Sequence, residues 1–145
     1  MNIIKLKIYG NKNLYGEVQI GGCKNSAVAI IPAAILCDEE VRLQNVPQID
    51  DCYTLLEILS TIGHQVIFED LDIIIKPNQK TKTNLVTSLV SKLRGSYYFL
   101  GALLAKRKKV KTLYPGGCNL GARPINYHLD GFQKMNARVS EKDNL

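Results

Sequence analysis

The sequence predicts an α/β protein assembled from repeated βαβαββ units. Three observations carry that expectation. Short runs that alternate apolar and polar residues at period 2 are interleaved with longer apolar runs of helical length. The order of runs then repeats: residues 32–36 (Pro-Ala-Ala-Ile-Leu) align with residues 100–104 (Leu-Gly-Ala-Leu-Leu), and Pro47 with Pro115 at the same offset of 68. Finally, the glycine-rich stretch Pro115-Gly116-Gly117-Cys118-Asn119-Leu120-Gly121-Ala122-Arg123-Pro124 separates an apolar strand-like run from a helix-like run.

Residues 4–9 alternate and read as a strand, residues 10–13 as a turn, and residues 16–20 as a second strand. Gly21-Gly22 breaks the chain just before Lys24-Asn25-Ser26, and an apolar helix is expected over residues 26–37, kinked at Pro32. Acidic residues 38–40 close it. Residues 41–46 alternate as a strand, and Pro47 with Asp50-Asp51 marks a turn and an N-cap. The following helix runs through Ile62 to a stop at Gly63. Residues 66–68 and 71–75 form a hairpin around Glu69-Asp70, and residues 77–83 are a polar connector. The apolar run 84–106 is about twice the mean helix length of ~11–12 residues. It contains Gly95, so it splits into two helices near residues 92–95. The basic run Lys106-Arg107-Lys108-Lys109 suits a helix C-terminus. Residues 110–114 are a strand, residues 125–135 a helix, and residues 137–140 begin another strand.

The 145 residues suit one globular domain, and 46% hydrophobic with 22% charged residues excludes a disordered chain. No apolar run approaches the roughly 18 to 20 residues that span a bilayer, and the N-terminal apolar run is too short for a signal peptide. Cys23, Cys37, Cys52 and Cys118 form no CxxC pair and no metal-ligand spacing, which reads as reduced thiols in a cytoplasmic protein. A net charge of +6 favours an anionic ligand: nucleic acid, nucleotide or phosphorylated metabolite.

The repeat locates the unusual segment. Residues 62–66 align with residues 135–139, an offset of 73 rather than 68, so the second copy is lengthened by five residues in the loop at 116–123. An insertion in a repeated scaffold is where function tends to be placed. Glycines there let the backbone approach a ligand, Cys118 offers a thiol whose reactivity a nearby cation raises, and Arg123 offers a planar fork for phosphate or carboxylate. At the 68 offset Lys24 falls on Lys92 and Ser26 on Arg94, so both copies open a helix on cationic or amide-bearing residues, a natural anion site.

Gly22-Cys23-Lys24-Asn25, Asn45-Val46-Pro47 and the residue 115–124 loop together resemble the UDP-N-acetylglucosamine 1-carboxyvinyltransferase family, the enolpyruvyl transferases that begin peptidoglycan synthesis. The likeness runs along essentially the whole chain. Family members are much longer, so the chain corresponds to an N-terminal portion. The resemblance implies an inside-out α/β barrel of two lobes. Residues 1–21 would cross to the other lobe, and residues 22–145 would form the first lobe, with one full repeat at about 22–77 and an incomplete one at about 84–145. It implies that Lys24 and Asn25 contact phosphoenolpyruvate, and that Arg94, Arg123, Pro124, Ile125, Asn126 and Tyr127 contact phosphate or UDP-N-acetylglucosamine. Cys118 would be the acid that protonates the enolpyruvyl methylene carbon, and the target of a fosfomycin-type phosphonate. No metal or other cofactor is implied, because Lys24 and the arginines neutralise the phosphate. Two positions depart from the family: Cys23 stands where Ala is usual, and Asn126-Tyr127 where Asp-Leu is usual. The family's catalytic Asp and a further Arg fall beyond residue 145, so the chain alone is expected not to turn over.

Other readings differ in what they require. The sibling transferase acting on shikimate 3-phosphate lacks the Gly-Gly-Cys loop and prefers Lys-Ser at the first helix, so Cys118 and Asn25 argue against it. A nucleic-acid-binding module would use the charge of +6, Lys106–Lys109 and Tyr97-Tyr98-Phe99, and would bind with steep salt dependence. Those aromatics fall at core spacing on a helix. An inactive fragment is the third reading. Half of a two-lobed protein also exposes an apolar face, which favours self-association.

Overall fold

The computed structural model describes residues 5–116 and 124–141. Residues 5–21 are exposed throughout and belong to no strand, which corrects the strands expected at 4–9 and 16–20. Their alternation is real, but a strand needs a partner for its N–H and C=O groups, and none lies alongside among the described residues.

Helix α1 spans Lys24–Ala33 and continues as a 3₁₀ turn, Ala34–Leu36. It begins two residues earlier than expected. Pro32 lies inside it and brings no N–H to the ladder, and the helix tightens into the 3₁₀ turn just beyond. Strand β1 is Val41–Leu43, shorter than expected. Helix α2, Asp50–Thr61, has Ile49 at its cap position, so Asp50 and Asp51 occupy the first turn instead of capping it. There their charges suit the positive end of the helix dipole. Gly63, at φ +102°, ends α2 in a conformation that a side chain would strain.

Strands β2 (Gln65–Glu69) and β3 (Asp72–Lys76) form the expected hairpin, and Asp70 turns it at φ 55°. Strand β3 is central: Val41 and Val66 both sit opposite Ile75, each antiparallel to it. Ile73, Ile74 and Ile75 are all buried, so both faces of β3 are covered. The connector is held by its polar groups. Asn78 Nδ2 donates to the Gly63 carbonyl at 2.9 Å, and the Lys82 amide to that of Ile62 at 3.0 Å.

The run 84–106 splits where expected but into more pieces: strand β4 (Asn84–Leu85), helix α3 (Ser88–Lys92), a 3₁₀ turn (Arg94–Tyr97) and helix α4 (Tyr98–Arg107). Strand β5 is Lys111–Thr112 and pairs parallel with β4. Helix α5 is Asn126–Lys134. Residues 137–141 form no strand, against the expectation of one at 137–140.

Helices α1, α2 and α4 enclose the core, in which Ile31, Ile35, Leu55, Ile58, Leu59, Ile75, Phe99 and Leu103 are fully buried. Lys106 joins α4 to the turn after α1, donating to the Leu36 carbonyl at 3.1 Å and to Asp38 Oδ1 at 2.5 Å.

Candidate functional site

Gly22, Cys23, Lys24 and Asn25 stand together at the start of α1. Gly22 is pressed against the backbone carbonyl of Asn45, with Pro47 Cδ 3.1 Å from where a Cβ would be. The two short motifs singled out in the sequence therefore touch, and glycine is required because any side chain would overlap the Asn45 carbonyl. Lys24 Nζ lies 2.5 Å from Asp51 Oδ2, so the first turns of α1 and α2 meet through an ion pair. Cys23 is exposed at the cap position of α1. The neighbouring Ser26 amide and hydroxyl and the Asn25 amide favour its thiolate and hold its pKa below the ordinary thiol value.

Arg94 opens the 3₁₀ turn that follows α3. Gly95 beside it is buried against Val28 Cγ1 of α1, with no room for a Cβ. The Ser96 hydroxyl, also buried, lies 2.8 Å from the Val90 carbonyl and 2.7 Å from that of Leu93. Val28 is one turn beyond Lys24 on the same face of α1, so this packing brings the Arg94 turn against the helix that carries Lys24.

Cys118 and Arg123 lie outside the described residues, but both approaches to their loop are described. Gly116 donates its N–H to the Val90 carbonyl at 3.3 Å, and its Cα is pressed on Ser91, so a side chain would overlap the Ser91 carbonyl. The loop therefore departs beside α3, just ahead of Arg94. On the far side Pro124 is exposed and Ile125 is 4% exposed and packed inward. Asn126 and Tyr127 open α5 and point to solvent, Tyr127 at 83% exposure. His128, the next residue, stacks on Tyr97 with ring centroids 4.7 Å apart, which sets the first turn of α5 beside the Arg94 turn. The sequence reading missed this contact and the Lys24–Asp51 pair. Both join residues distant in sequence, and neither residue pair has a local pattern that announces it.

A cavity of about 860 Å³ lies on the other flank of α5 and is lined by Leu100, Leu104, Leu113, Leu129, Phe132 and residues 136–141 among others. Of the described candidate residues it includes Ile125 alone. Its position follows from the repeat: at the 73 offset Leu129 and Phe132 match Leu56 and Leu59, which are buried in the first unit. Among the described residues no group of three or more His, Cys, Asp or Glu could hold a metal ion, and no helix is long and apolar enough to cross a membrane.

The chain is 46% identical over 138 residues to UDP-N-acetylglucosamine 1-carboxyvinyltransferase 2 of Listeria innocua, covering 95% of this chain and 33% of that protein. It is 44% identical over 138 residues to the Bacillus subtilis protein of that name, covering 95% and 32%. To UDP-N-acetylglucosamine 1-carboxyvinyltransferase of Thermotoga maritima it is 43% identical over 131 residues, covering 90% and 31%. The chain thus spans about a third of the length of these relatives. In fold it is similar to the enolpyruvyl transferase NikO from Streptomyces tendae, with a TM-score of 0.58 and 28% identity over 65% of this chain and 22% of that one. The EPSP synthase (3-phosphoshikimate 1-carboxyvinyltransferase) family model matches residues 8–145. By that match, which leaves out only the first seven residues, the chain belongs to the EPSP synthase family.

Proposed function

We propose that this chain supplies the first-lobe half of an active site that moves the enolpyruvyl group of phosphoenolpyruvate to the 3-hydroxyl of UDP-N-acetylglucosamine. The observation that carries this reading is the convergence of three elements: the α1 start with Lys24, the Arg94 turn packed on α1, and both approaches to the Cys118 loop beside that turn. Lys24, Arg94 and the N-terminus of α5 would receive the two anions. Lys24 and Asn25 would hold phosphoenolpyruvate. Arg94, Arg123, Pro124, Asn126 and Tyr127 would line the nucleotide sugar, with Ile125 contributing backbone only because its side chain is buried.

In the addition step the sugar oxygen bonds to C2 of phosphoenolpyruvate, and Cys118 gives a proton to the methylene carbon. In the elimination step that carbon loses a proton, the C2–O bond to phosphate breaks, and inorganic phosphate leaves. The base that takes the hydroxyl proton is assigned to none of the described residues. A nucleotide sugar is favoured over shikimate 3-phosphate by Cys118 and by Asn25 after Lys24. In the whole protein the fold would be the inside-out barrel, with residues 1–21 crossing to the second lobe, acting in the cytoplasm at the start of peptidoglycan synthesis.

The test is mass-spectrometric labelling of Cys118 by a small phosphonate epoxide, with and without UDP-N-acetylglucosamine. A change in rate confined to Cys118 on adding the nucleotide sugar is expected. A Cys118 labelling rate indifferent to the nucleotide would falsify the reading for this chain.

A further inference from the structure

Tyr97 ends the 3₁₀ turn that Arg94 begins, and three groups gather on its ring. Tyr98 stacks at 4.4 Å between centroids and His128 at 4.7 Å, each at an interplanar angle of 27°. The Arg94 guanidinium carbon lies 5.9 Å from the centroid of the same ring. Tyr97 is half-buried and stands outside the apolar core cluster, so filling the core does not account for it.

Helix α5 gives the stack its meaning. No residue of α5 is buried. Its first turn is tied to the rest of the molecule by Ile125, which is buried, and by the ring of His128 on Tyr97. That same turn carries Asn126 and Tyr127. A helix held this lightly takes its orientation from its few contacts, and stacked rings prefer a narrow range of geometries.

We propose that Tyr97 is a positioning residue. Its ring fixes the first turn of α5 through His128 and leans on Arg94 at its other contact, so that Asn126 and Tyr127 are held at a set distance from that guanidinium. Tyr97 touches no ligand in this role. The inference rests on the nucleotide-sugar reading for its purpose, but the tether itself stands on the ring geometry.

The test compares the 145-residue chain with Tyr97→Ala, His128→Ala and Tyr97→Phe. The His128 and Leu129 amides, which both donate to the Ile125 carbonyl, report the first turn by hydrogen exchange. The β3 amides report the fold. Tyr97→Ala and His128→Ala are expected to speed exchange at His128 and Leu129 by about threefold to tenfold, the effect of one aromatic pair, and to leave β3 unchanged. UDP-N-acetylglucosamine affinity, by calorimetry, should fall by a similar factor. Tyr97→Phe should restore both, since stacking does not need the hydroxyl. Unchanged exchange in both alanine variants overturns the tether, and so does a phenylalanine variant as impaired as alanine. Faster exchange with undiminished affinity overturns the positioning role. A wild-type chain that binds no nucleotide sugar sinks the transferase reading instead, and the exchange rates still decide the tether.

Discussion

At the scale of single residues, the three described cysteines separate by environment. Amides and a hydroxyl at the start of α1 favour the Cys23 thiolate, whereas burial, followed by the Asp51 carboxylate, pushes the Cys52 thiol up. The thiolate is the nucleophile. With iodoacetamide at pH 7.5, Cys23 should be labelled first and Cys52 only once denaturant opens the fold, as peptide mapping by mass spectrometry will read. The same chemistry makes Cys23 the competing thiol in any experiment on Cys118. Gly95 supplies a second residue-scale prediction. Gly95→Ala forces a methyl group onto Val28 and should cost about 1–3 kcal/mol by urea denaturation. Adding Val28→Ala should return part of that loss, because the two sites share one contact.

Among the elements, the connector after β3 turns on His64, whose ring is 4% exposed. Its Nδ1–H donates to the Lys76 carbonyl at 3.3 Å, and Nε2 lies 3.1 Å from the Thr81 hydroxyl. Burial lowers its pKa below the ordinary 6.5, the Lys106 charge adds to that, and the Lys76 bond opposes it only in part. Above pH 6.5 the ring is neutral in both folded and unfolded chains, and stability does not depend on it. Below pH 6.5 the unfolded chain binds the proton first, so stability falls as the pH drops toward the folded-state value. Urea midpoints at pH 7.5, 6.0 and 5.0 should decline in the wild type and less steeply in His64→Gln. Elements with strong local signals were legible in the sequence: α2 from its apolar period and Gly63, and the β2–β3 hairpin from alternation around Glu69-Asp70. Strand β4 was not, because Asn84-Leu85 is a strand only by virtue of β5 beside it. The candidate site was legible as three separate stretches. Their junctions were not, since Gly22 on Asn45, Lys24 on Asp51 and His128 on Tyr97 each close a distance that no local pattern encodes.

The whole molecule couples a dense core to an uncovered N-terminal segment. Leu6 and Ile8 are each 87% exposed, and Leu14, Tyr15, Val18 and Ile20 are exposed with them. Limited trypsin should therefore cut first after Lys5, Lys7 and Lys12 and leave a product that retains α1 through β3. If this apolar segment also drives self-association, removing residues 1–21 should shift the chain toward monomer in size-exclusion chromatography. An unchanged profile would move the cause elsewhere. A different consequence follows from the bond between Lys106 and the Leu36–Asp38 turn. Closing so long a segment costs chain entropy before any contact rewards it, whereas the β2–β3 hairpin and α2 form from near neighbours. The Lys106 latch is therefore expected to form late in assembly and to act on unfolding more than on refolding. In a chevron analysis, Lys106→Met should leave the refolding limb in place and raise the unfolding limb by up to about fivefold. Time spent folded, more than time taken to fold, is what this latch sets.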